Sequence, residues 1–573
     1  MRSGAAAVVK ALEDEGVELV FGIPGTHNIE LYDALDASES VTPVLVTDEQ
    51  SASFMADGVS RSSDLVGVAN LVPGAGLTHA LSGIAEAYLD GIPLVVLACG
   101  IRGDTGKAYQ LHDIDQLALA RPVTKAALRV ESPDAIYTSV RAAFALARAA
   151  PAGPVVVEIP AEYYLLRHEA SEPRFAQPPR ALKAPDAESV LRAVELLRSA
   201  QRPLIYAGYG TRDATAALRQ LAETLVAPVA TTIQGKGVFP EHHPLFLWNG
   251  LGASAPSFVR EIAAECDAML AVGCRFGEVG TASYGFTPPA ALVHVDVAAE
   301  VFNRNFPAAV TIAADAGAAL TALNEQIRPR APDAELEAAI ASGHEEVRRH
   351  WRRQQSKDRV SPALLFDTLQ ALAGPDAIFV TDSGNGTFLA MEHLRLDAPG
   401  RFLAPVDYSC MGYSVPAAIG AKLANPGRSV VALAGDGALL MTGLELLTAA
   451  AYRAGVVVCV LRDGELAQIA QFQRTAFNRA TASVLHPFEV EAFARTTGCR
   501  YLKVTDDSML HSGLEHAFNF ARGGTPVMVE VAIDYSHMTY FTKGVIATNF
   551  WRLPWRERFR MLARAVARRI VRR

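Results

Sequence analysis

The stretch LAGDGALLMTGLELLTAAAYRAGVVVCVLRDG, residues 433–464, decides the fold of this chain. Two apolar runs each end in an acidic residue: Asp436 lies inside a Gly-Asp-Gly turn, and Asp463 follows the valine-rich second run. Continuous apolar runs of this kind are typical of parallel strands in a sheet that is covered on both faces. The segment between them predicts a helix and a return to the neighbouring strand. Both aspartates should therefore reach the same edge of the sheet.

The rhythm of strand, glycine-rich turn and helix continues along the chain and predicts an α/β protein of doubly wound parallel sheets. A proline- and charge-rich segment, 167–186, reads as a linker, and the charged stretch 345–360 separates a second unit from a third. We expect three domains and a basic C-terminal tail, at residues 1–166, 187–330, 355–535 and 546–573.

Composition limits the classes of function. The chain has 573 residues, half of them apolar, which suits several large cores. A net charge of −8 gives no reason to expect nucleic-acid binding. The six cysteines are scattered and favour reduced thiols in a cytosol, and the charged first helical pattern leaves no room for a secretory segment. The longest apolar runs are too short to span a bilayer.

The two aspartates suggest a chemistry of their own. Gly435 and Gly437 would let the backbone approach an anionic group, and the helix that follows would offer its N-terminal amides to phosphate. Two carboxylates beside such a cradle are typical of an oxygen-ligand site for Mg²⁺. Taken alone, however, a Gly-Asp-Gly turn is equally well explained as an ordinary structural turn.

With the second acidic residue 27 positions later, the pattern resembles the signature of thiamine-diphosphate enzymes of the acetolactate synthase and pyruvate oxidase-like group. The resemblance covers residues 1 to about 535. It implies that Asp436 and Asp463 bind Mg²⁺ through their side chains and Glu465 through its carbonyl. The family more often has asparagine where this chain has Arg462 and Asp463. The residues implied at the diphosphate are Asn385, Gly386, Thr387, Gly435, Asp436, Gly437 and Ala438.

The segment TPVLVTDEQSASFMADGVSR, 42–61, resembles the strand-to-helix turn that carries the family's activating glutamate. Glu49 would then hydrogen-bond N1′ of the aminopyrimidine and help to remove the proton from thiazolium C2. A carboxyl in an apolar pocket can hold a proton near neutral pH. The alternative is that Glu49 only caps the following helix. Asp48 stands where many relatives have histidine.

Further stretches extend the resemblance. In YSCMGYSVPAAIGAKLA, 408–424, Met411 takes the bulky apolar position that holds the coenzyme in its bent shape, although plain core packing is the alternative. Gly25 and Pro73 fall in glycine loops that resemble those of the pyrimidine-binding domain.

Three polar residues, His27, Gln110 and His112, are expected at the mouth of the site, where they would orient a carboxylate or transfer protons. Loop histidines are, however, often merely solvated. His112 occupies the place where acetolactate synthases usually carry glutamine. This departure puts acetolactate itself in question as the product.

The central unit resembles the domain that carries FAD in acetolactate synthases and pyruvate oxidases. Glycine turns at 207–210 and 273–280, with Asp296 or Asp315 at strand ends, could hold an adenine dinucleotide. Gly277 replaces the family's acidic residue, and many relatives keep this fold without binding anything there. FAD therefore stays an open alternative at this stage.

The segment 549–573 contains nine arginines and one glutamate, so it carries about +8 against about −16 for the rest of the chain. On a helix that starts near Pro554, the residues Trp555, Phe559, Leu562, Val566 and Ile570 share one face. The pattern favours either a peripheral membrane contact through anionic lipid or a tail that packs on the acidic body or on a neighbouring subunit.

The resemblance implies a cytoplasmic enzyme that uses thiamine diphosphate and Mg²⁺ to decarboxylate a 2-oxo acid. In the leading interpretation a second carbonyl compound captures the acyl carbanion, forming a carbon–carbon bond. The alternatives are release of an aldehyde, oxidation through FAD, and a catalytically silent scaffold. The family builds its site from the first domain of one subunit and the third of another, which implies a homodimer or tetramer.

Overall fold

The computed structural model describes residues 2–168, 175–176, 182–354, 356 and 358–571. The chain forms three six-stranded sheets in sequence, each of them parallel throughout. This confirms the α/β class predicted from the apolar runs. Most of the linker predicted at 167–186 lies outside the described residues.

The first sheet is built from the N-terminal part of the chain. Its elements are β1 (Arg2–Ser3), α1 (Gly4–Asp14), β2 (Leu19–Gly22), α2 (Ile29–Asp36), β3 (Thr42–Leu45), α3 (Glu49–Ser62), β4 (Gly67–Leu71), α4 (Ala75–Asp90), β5 (Leu94–Gly100), α5 (Gln116–Ala120), β6 (Ala126–Arg129), α6 (Ile136–Arg148), β7 (Pro154–Pro160), α7 (Ala161–Leu165) and β8 (Arg167–His168). The strand order is β3-β2-β4-β5-β7-β6, while β1 and β8 form a separate antiparallel pair. Every residue of β4, β5 and β7 is buried, as expected for strands covered on both faces.

The second sheet forms the central unit. Its elements are α8 (Ala187–Ser199), β9 (Pro203–Ala207), α9 (Thr215–Leu225), β10 (Val229–Thr231), β11 (Phe246–Asn249), α10 (Ser257–Ala264), β12 (Ala268–Val272), β13 (Ala291–Asp296), β14 (Val310–Ala313), α11 (Ala316–Gln326) and α12 (Ala334–Arg352). The strand order is β11-β10-β9-β12-β13-β14. The order reverses between β9 and β12, which is where open α/β sheets bind ligands.

The third sheet contains the two aspartates. Its elements are α13 (Pro362–Ala373), β15 (Ile378–Thr381), α14 (Asn385–His393), β16 (Phe402–Leu403), α15 (Ser414–Ala424), β17 (Val430–Gly435), α16 (Asp436–Thr442), α17 (Leu446–Ala451), β18 (Val457–Leu461), α18 (Ala467–Phe477), α19 (Val490–Thr496), β19 (Arg500–Val504), α20 (Asp507–Arg522) and β20 (Val527–Val531). The strand order is β16-β15-β17-β18-β20-β19.

The predicted adjacency of the two aspartate strands is confirmed, because β17 pairs with β18 in parallel and Gly435 lies opposite Leu461. The connection between them is less simple than one helix. It consists of α16, a 3₁₀ turn at Gly443–Glu445 and α17.

The charged stretch 345–360 is only partly a separator, because its first half is the end of α12. Trp351 is buried there, and its Nε1 donates to a carboxylate oxygen of Glu392 in the third domain at 3.1 Å. Because the stretch is rich in charged residues, the sequence did not indicate that one face of this helix is buried. The domain limits themselves stay predictions.

Helices α3 and α15 cross at very short range and join the first domain to the third. Gly58 lies against the carbonyl of Ala417, and Gly420 lies against the carbonyl of Met55. A Cβ added at Gly58 would stand 2.2 Å from the Ala417 oxygen. At this crossing any side chain would push the two helices apart.

The C-terminal tail forms two helices, α21 (Tyr540–Arg552) and α22 (Trp555–Val571). The predicted start near Pro554 is confirmed. Within the described ranges, no helix is long and apolar enough to cross a membrane.

Replacing Gly58 by alanine should destabilise the protein by about 1–3 kcal/mol, because the added methyl overpacks the crossing of α3 and α15. Differential scanning calorimetry would show this as a melting temperature lowered by several degrees. Gly427→Ala is the matched control, since no atom lies within 4 Å of a Cβ at that position. Equal melting temperatures for both variants would contradict the packing argument.

Candidate active site

The two aspartates lie together at the carboxyl ends of β17 and β18. Asp436 is buried, and its carboxylate accepts hydrogen bonds from the backbone N–H of Gly437 at 2.9 Å and of Gly464 at 2.8 Å. Asp463 accepts from the N–H of Glu465 at 3.3 Å. These contacts place both carboxylates at the same edge of the sheet.

Burial, followed by the negative charge of Asp436, raises the pKa of Asp463 to about 7. Burial also raises the pKa of Asp436. The only guanidinium paired with Asp436 in the described part of the chain is that of Arg462, with 3.8 Å between Nη1 and Oδ2. Arg462 also stacks on Phe488, 4.4 Å from its ring centroid. A divalent cation would favour the ionised form of both aspartates, and oxygen donors of this kind suit Mg²⁺.

The space beside these carboxylates is open. No atom lies within 4 Å of where a Cβ would stand at Gly384, Gly435 or Gly464. Gly384 and Gly464 have φ of +140° and +77°, values that favour glycine. The neighbouring strands β15 and β17 lead directly into α14 and α16. The N-termini of α14 and α16 therefore lie side by side, an arrangement suited to binding a diphosphate.

The other residues expected at the diphosphate differ in their hydrogen bonds and packing. Asn385 begins α14, and its Nδ2 donates to Gln471 at 3.2 Å while its buried Oδ1 has no hydrogen-bond partner. Gly437 packs closely against the side chain of Leu466. The hydroxyl of Thr387 points inward, donates to the Asp382 carbonyl and lies in hydrogen-bond contact with the Thr381 hydroxyl. Gly386 and Ala438 lie in the first turns of α14 and α16.

The loop of Met411 is held by Asp382, which the sequence interpretation missed. The Asp382 carboxylate accepts from the N–H of Gly412 and from both the N–H and the hydroxyl of Ser414, all at 2.8–2.9 Å. Burial raises its pKa to about 6. The side chain of Glu465 pairs with Arg474, so its expected role rests on the carbonyl alone.

Glu49 lies at the start of α3, and its side chain is 13% exposed. The cap of this helix is Asp48, whose side chain accepts from the N–H of Gln50. Glu49 is therefore not the capping residue that the alternative interpretation made it. Its Oε2 lies 3.3 Å from Nδ1 of His79, a residue of α4 that the sequence did not single out. Because Glu49 and His79 lie on different helices, the sequence pattern gives no indication of this contact.

His27 and His112 meet edge to face, with 5.4 Å between their ring centroids. Burial, and next the charge of His112, lowers the pKa of His27. His112 has φ of +66°, and its carbonyl lies against Gly74. The amide of Gln110 donates to the carbonyls of Arg102 and Lys107 in its own loop. Its predicted place beside the histidines stays a prediction.

Gly25 and Pro73 lie in neighbouring loops of the first domain. The N–H of Gly25 donates to Asn28 at 2.8 Å, and a Cβ there would meet the Val72 side chain at 2.5 Å. The residue after Pro73, Gly74, has φ of +60° and donates its N–H to Gln116. The tight packing of these loops positions the turn that faces His112.

Several bonds link the first domain to the third within the chain, although among the described residues no hydrogen bond or ion pair joins Glu49 itself to the third sheet. Thr47, two residues before Glu49, donates through its hydroxyl and its N–H to the buried Glu445. The N–H of Cys410, next to Met411, donates to Glu86 of α4 at 3.0 Å. The turn of Glu49 and the loop of Met411 are thus each tied to the opposite domain.

The central domain contributes a cavity of about 570 Å³ at its junction with the first domain. Its lining includes Tyr209, Arg212, Asp296 and Asp315, with Asp407 from the third domain. Burial raises the pKa of Asp296 to about 6. The cavity lies at the carboxyl ends of β9, β12 and β13, where a dinucleotide would bind in this fold.

Comparison with known families agrees with this architecture. The chain matches the thiamine pyrophosphate enzyme N-terminal TPP binding domain over residues 2–119, the central domain over 190–323 and the C-terminal TPP binding domain over 382–531. The fold and these three matches define a thiamine-diphosphate-dependent enzyme that acts on 2-oxo acids.

Individual relatives narrow the class. The chain is 32% identical to an acetolactate synthase large subunit of Parasynechococcus marenigrum over 94% of this chain and 88% of that protein. It is 30% identical to a probable acetolactate synthase large subunit of Methanocaldococcus jannaschii over 93% and 92% of the two chains. The same identity relates it to acetolactate synthase isozyme 3 large subunit of Escherichia coli, over 94% and 96%. The chain belongs to the thiamine pyrophosphate enzyme family.

Replacing His112 by glutamine should raise the pKa of His27 toward its ordinary value, because a neighbouring positive charge is removed. NMR titration of ¹⁵N-labelled histidines would measure it. His242→Gln serves as the control, since His242 pairs with Asp397 at the surface, away from this pair. If both variants leave the pKa of His27 where it is, the two rings do not interact.

Proposed function

We propose that this chain is a carboligase: it decarboxylates a 2-oxo acid and transfers the acyl carbanion to a second carbonyl compound. The names of the relatives support this assignment. The observation that carries it is the combination of two neighbouring aspartates, the buried Asp436 and the half-buried Asp463, beside open glycines, with a shielded glutamate at the start of α3.

In this proposal Asp436 and Asp463, with the carbonyl of Glu465, hold Mg²⁺, and the N-termini of α14 and α16 hold the diphosphate. Thiamine diphosphate supplies the electron sink for loss of CO₂. Glu49 holds a proton at the pyrimidine end, and Met411 supports the coenzyme on a loop fixed by Asp382. His27 and His112 orient the substrate carboxylate or move protons at the mouth.

Replacing Glu49 by glutamine should lower CO₂ release from a 2-oxo acid by about 100-fold or more, because an amide cannot exchange the proton. The assay uses purified protein with Mg²⁺, thiamine diphosphate and a panel of 2-oxo acids. Glu39→Gln, at an exposed position of the same domain, should keep full activity. No turnover by the unchanged protein across the panel would favour a scaffold instead.

Mass spectrometry of the products, with and without an acceptor aldehyde or ketone, separates the two main versions of the reaction. A new carbon–carbon bond supports the carboligase. Free aldehyde as the sole product would assign a simple decarboxylase. Since His112 stands where acetolactate synthases usually have glutamine, the acceptor panel should extend beyond pyruvate.

A flavin is a second element of the proposal, favoured by the cavity of the central domain. Gly277 lacks the acidic side chain expected from the family, but Asp296 and Asp315 stand at the strand ends as a dinucleotide requires. The purified protein should therefore absorb in the flavin bands, and denaturation should release FAD. Flavin-free protein, both as purified and after incubation with FAD, would contradict this assignment.

We further propose a homodimer or a tetramer. Its support is an apolar surface on α16, α17 and the 3₁₀ turn between them, beside the diphosphate half, where four large side chains are 43–56% exposed: Leu440, Met441, Leu444 and Leu447. An exposed patch of this kind next to a site is typical of a subunit interface. Light scattering should give at least twice the chain mass of 61.1 kDa.

A further inference from the structure

The tail helices carry a continuous row of exposed apolar side chains, which we call the tail stripe: Trp551, Trp555, Phe559, Leu562 and Val566. Each of these residues is between 56% and 69% exposed. Trp555, Phe559, Leu562 and Val566 are spaced by three or four residues and therefore share one face of α22. Trp551 lies near the end of α21, and its ring lies beside Arg558 of α22. Side chains of this size, exposed together along the two tail helices, indicate a surface that is covered by something else.

The contacts of α22 with its own chain lie on a different face. Arg564 stacks on the ring of Phe477 at 4.6 Å, and Arg568 donates to the carbonyl of Phe477 at 2.9 Å. Both arginines therefore attach α22 to the end of α18. Because the stripe is not used for this packing, its exposure is not explained by the fold of the chain.

Cationic groups lie directly beside the stripe. The Arg556 guanidinium lies 5.5 Å from the Trp555 ring centroid, and that of Arg558 lies 5.2 Å from that of Trp551. The only acidic residue of α22, Glu557, is paired with Arg560 at 2.8 Å. The stripe thus combines aromatic rings with positive charges that have no acidic partner within the helix.

We propose that the tail stripe docks on the surface of a membrane that contains anionic phospholipid. Tryptophan and phenylalanine would enter the headgroup boundary while the arginines meet lipid phosphates. The rest of the chain carries about −16, so an anionic bilayer would repel it and select the tail as the contact. A tail-to-tail contact with a second copy fits the stripe less well, because it would bring two sets of arginines together.

The docked helix would lie flat, since its 17 residues span about 25 Å and it is too polar to cross the bilayer. On its other side α18 carries Gln471, which bonds to Asn385 of the diphosphate cradle. Membrane attachment would therefore hold the candidate site within one helix of the lipid surface.

Co-sedimentation of the full-length protein with vesicles tests the proposal. Vesicles of phosphatidylcholine with an equal part of phosphatidylglycerol should bind the protein at low salt, whereas pure phosphatidylcholine vesicles should bind it weakly. Replacing Trp555 and Phe559 by serine should reduce the bound fraction at least about tenfold. Arg556→Gln and Arg558→Gln should each reduce it about fivefold.

Leu191→Ser is the matched control, because Leu191 is also exposed, at 59%, but lies on α8 of the central domain. It should bind vesicles as the unchanged protein does, and melting temperatures confirm that all variants fold. Absence of binding to the anionic vesicles, or equal binding by the Trp555/Phe559 variant, would overturn the proposal. A loss of oligomer mass in that variant without any vesicle binding would assign the stripe to a second copy.

Discussion

The architecture of the candidate site depends on holding two carboxylates, Asp436 and Asp463, next to each other at one edge of the third sheet. Their mutual repulsion and their burial both oppose ionisation, and the pKa of Asp463 is raised to about 7 as a result. The fold maintains this arrangement because β17 and β18 are adjacent and parallel, and because backbone N–H groups satisfy both carboxylates. A cation is the natural partner for such a pair. The open glycines beside them leave room for the anion that this cation would bridge.

The remaining parts of the site are placed by contacts between domains. The crossing of α3 and α15 requires glycine at its centre, and it sets the first domain against the third. Glu445 binds the turn before Glu49, while Glu86 binds the loop before Met411. Each half of the site is thus positioned partly by the opposite domain. This explains why buried acidic residues outside the expected coenzyme contacts occur in both.

Much of this could be predicted from the sequence, where the signal is local. The apolar runs ending at Asp436 and Asp463 predicted neighbouring parallel strands, and Pro554 predicted the start of the last helix. Contacts between distant segments could not be predicted in this way. His79 meets Glu49 only through the packing of α3 on α4, and the amide of Gln110 bonds to carbonyls of its own loop. The buried face at the charged end of α12, which packs on the third domain, could not be predicted from the sequence either.

The central claim is that Asp436 and Asp463 bind Mg²⁺ together with the diphosphate. Calorimetric titration of Mg²⁺ into the protein in the presence of thiamine diphosphate tests it most directly. Asp436→Asn should weaken Mg²⁺ binding at least about tenfold, while Asp33→Asn, at an exposed position of α2, should leave it unchanged. Equal Mg²⁺ affinity in the Asp436 variant and the unchanged protein would contradict the account.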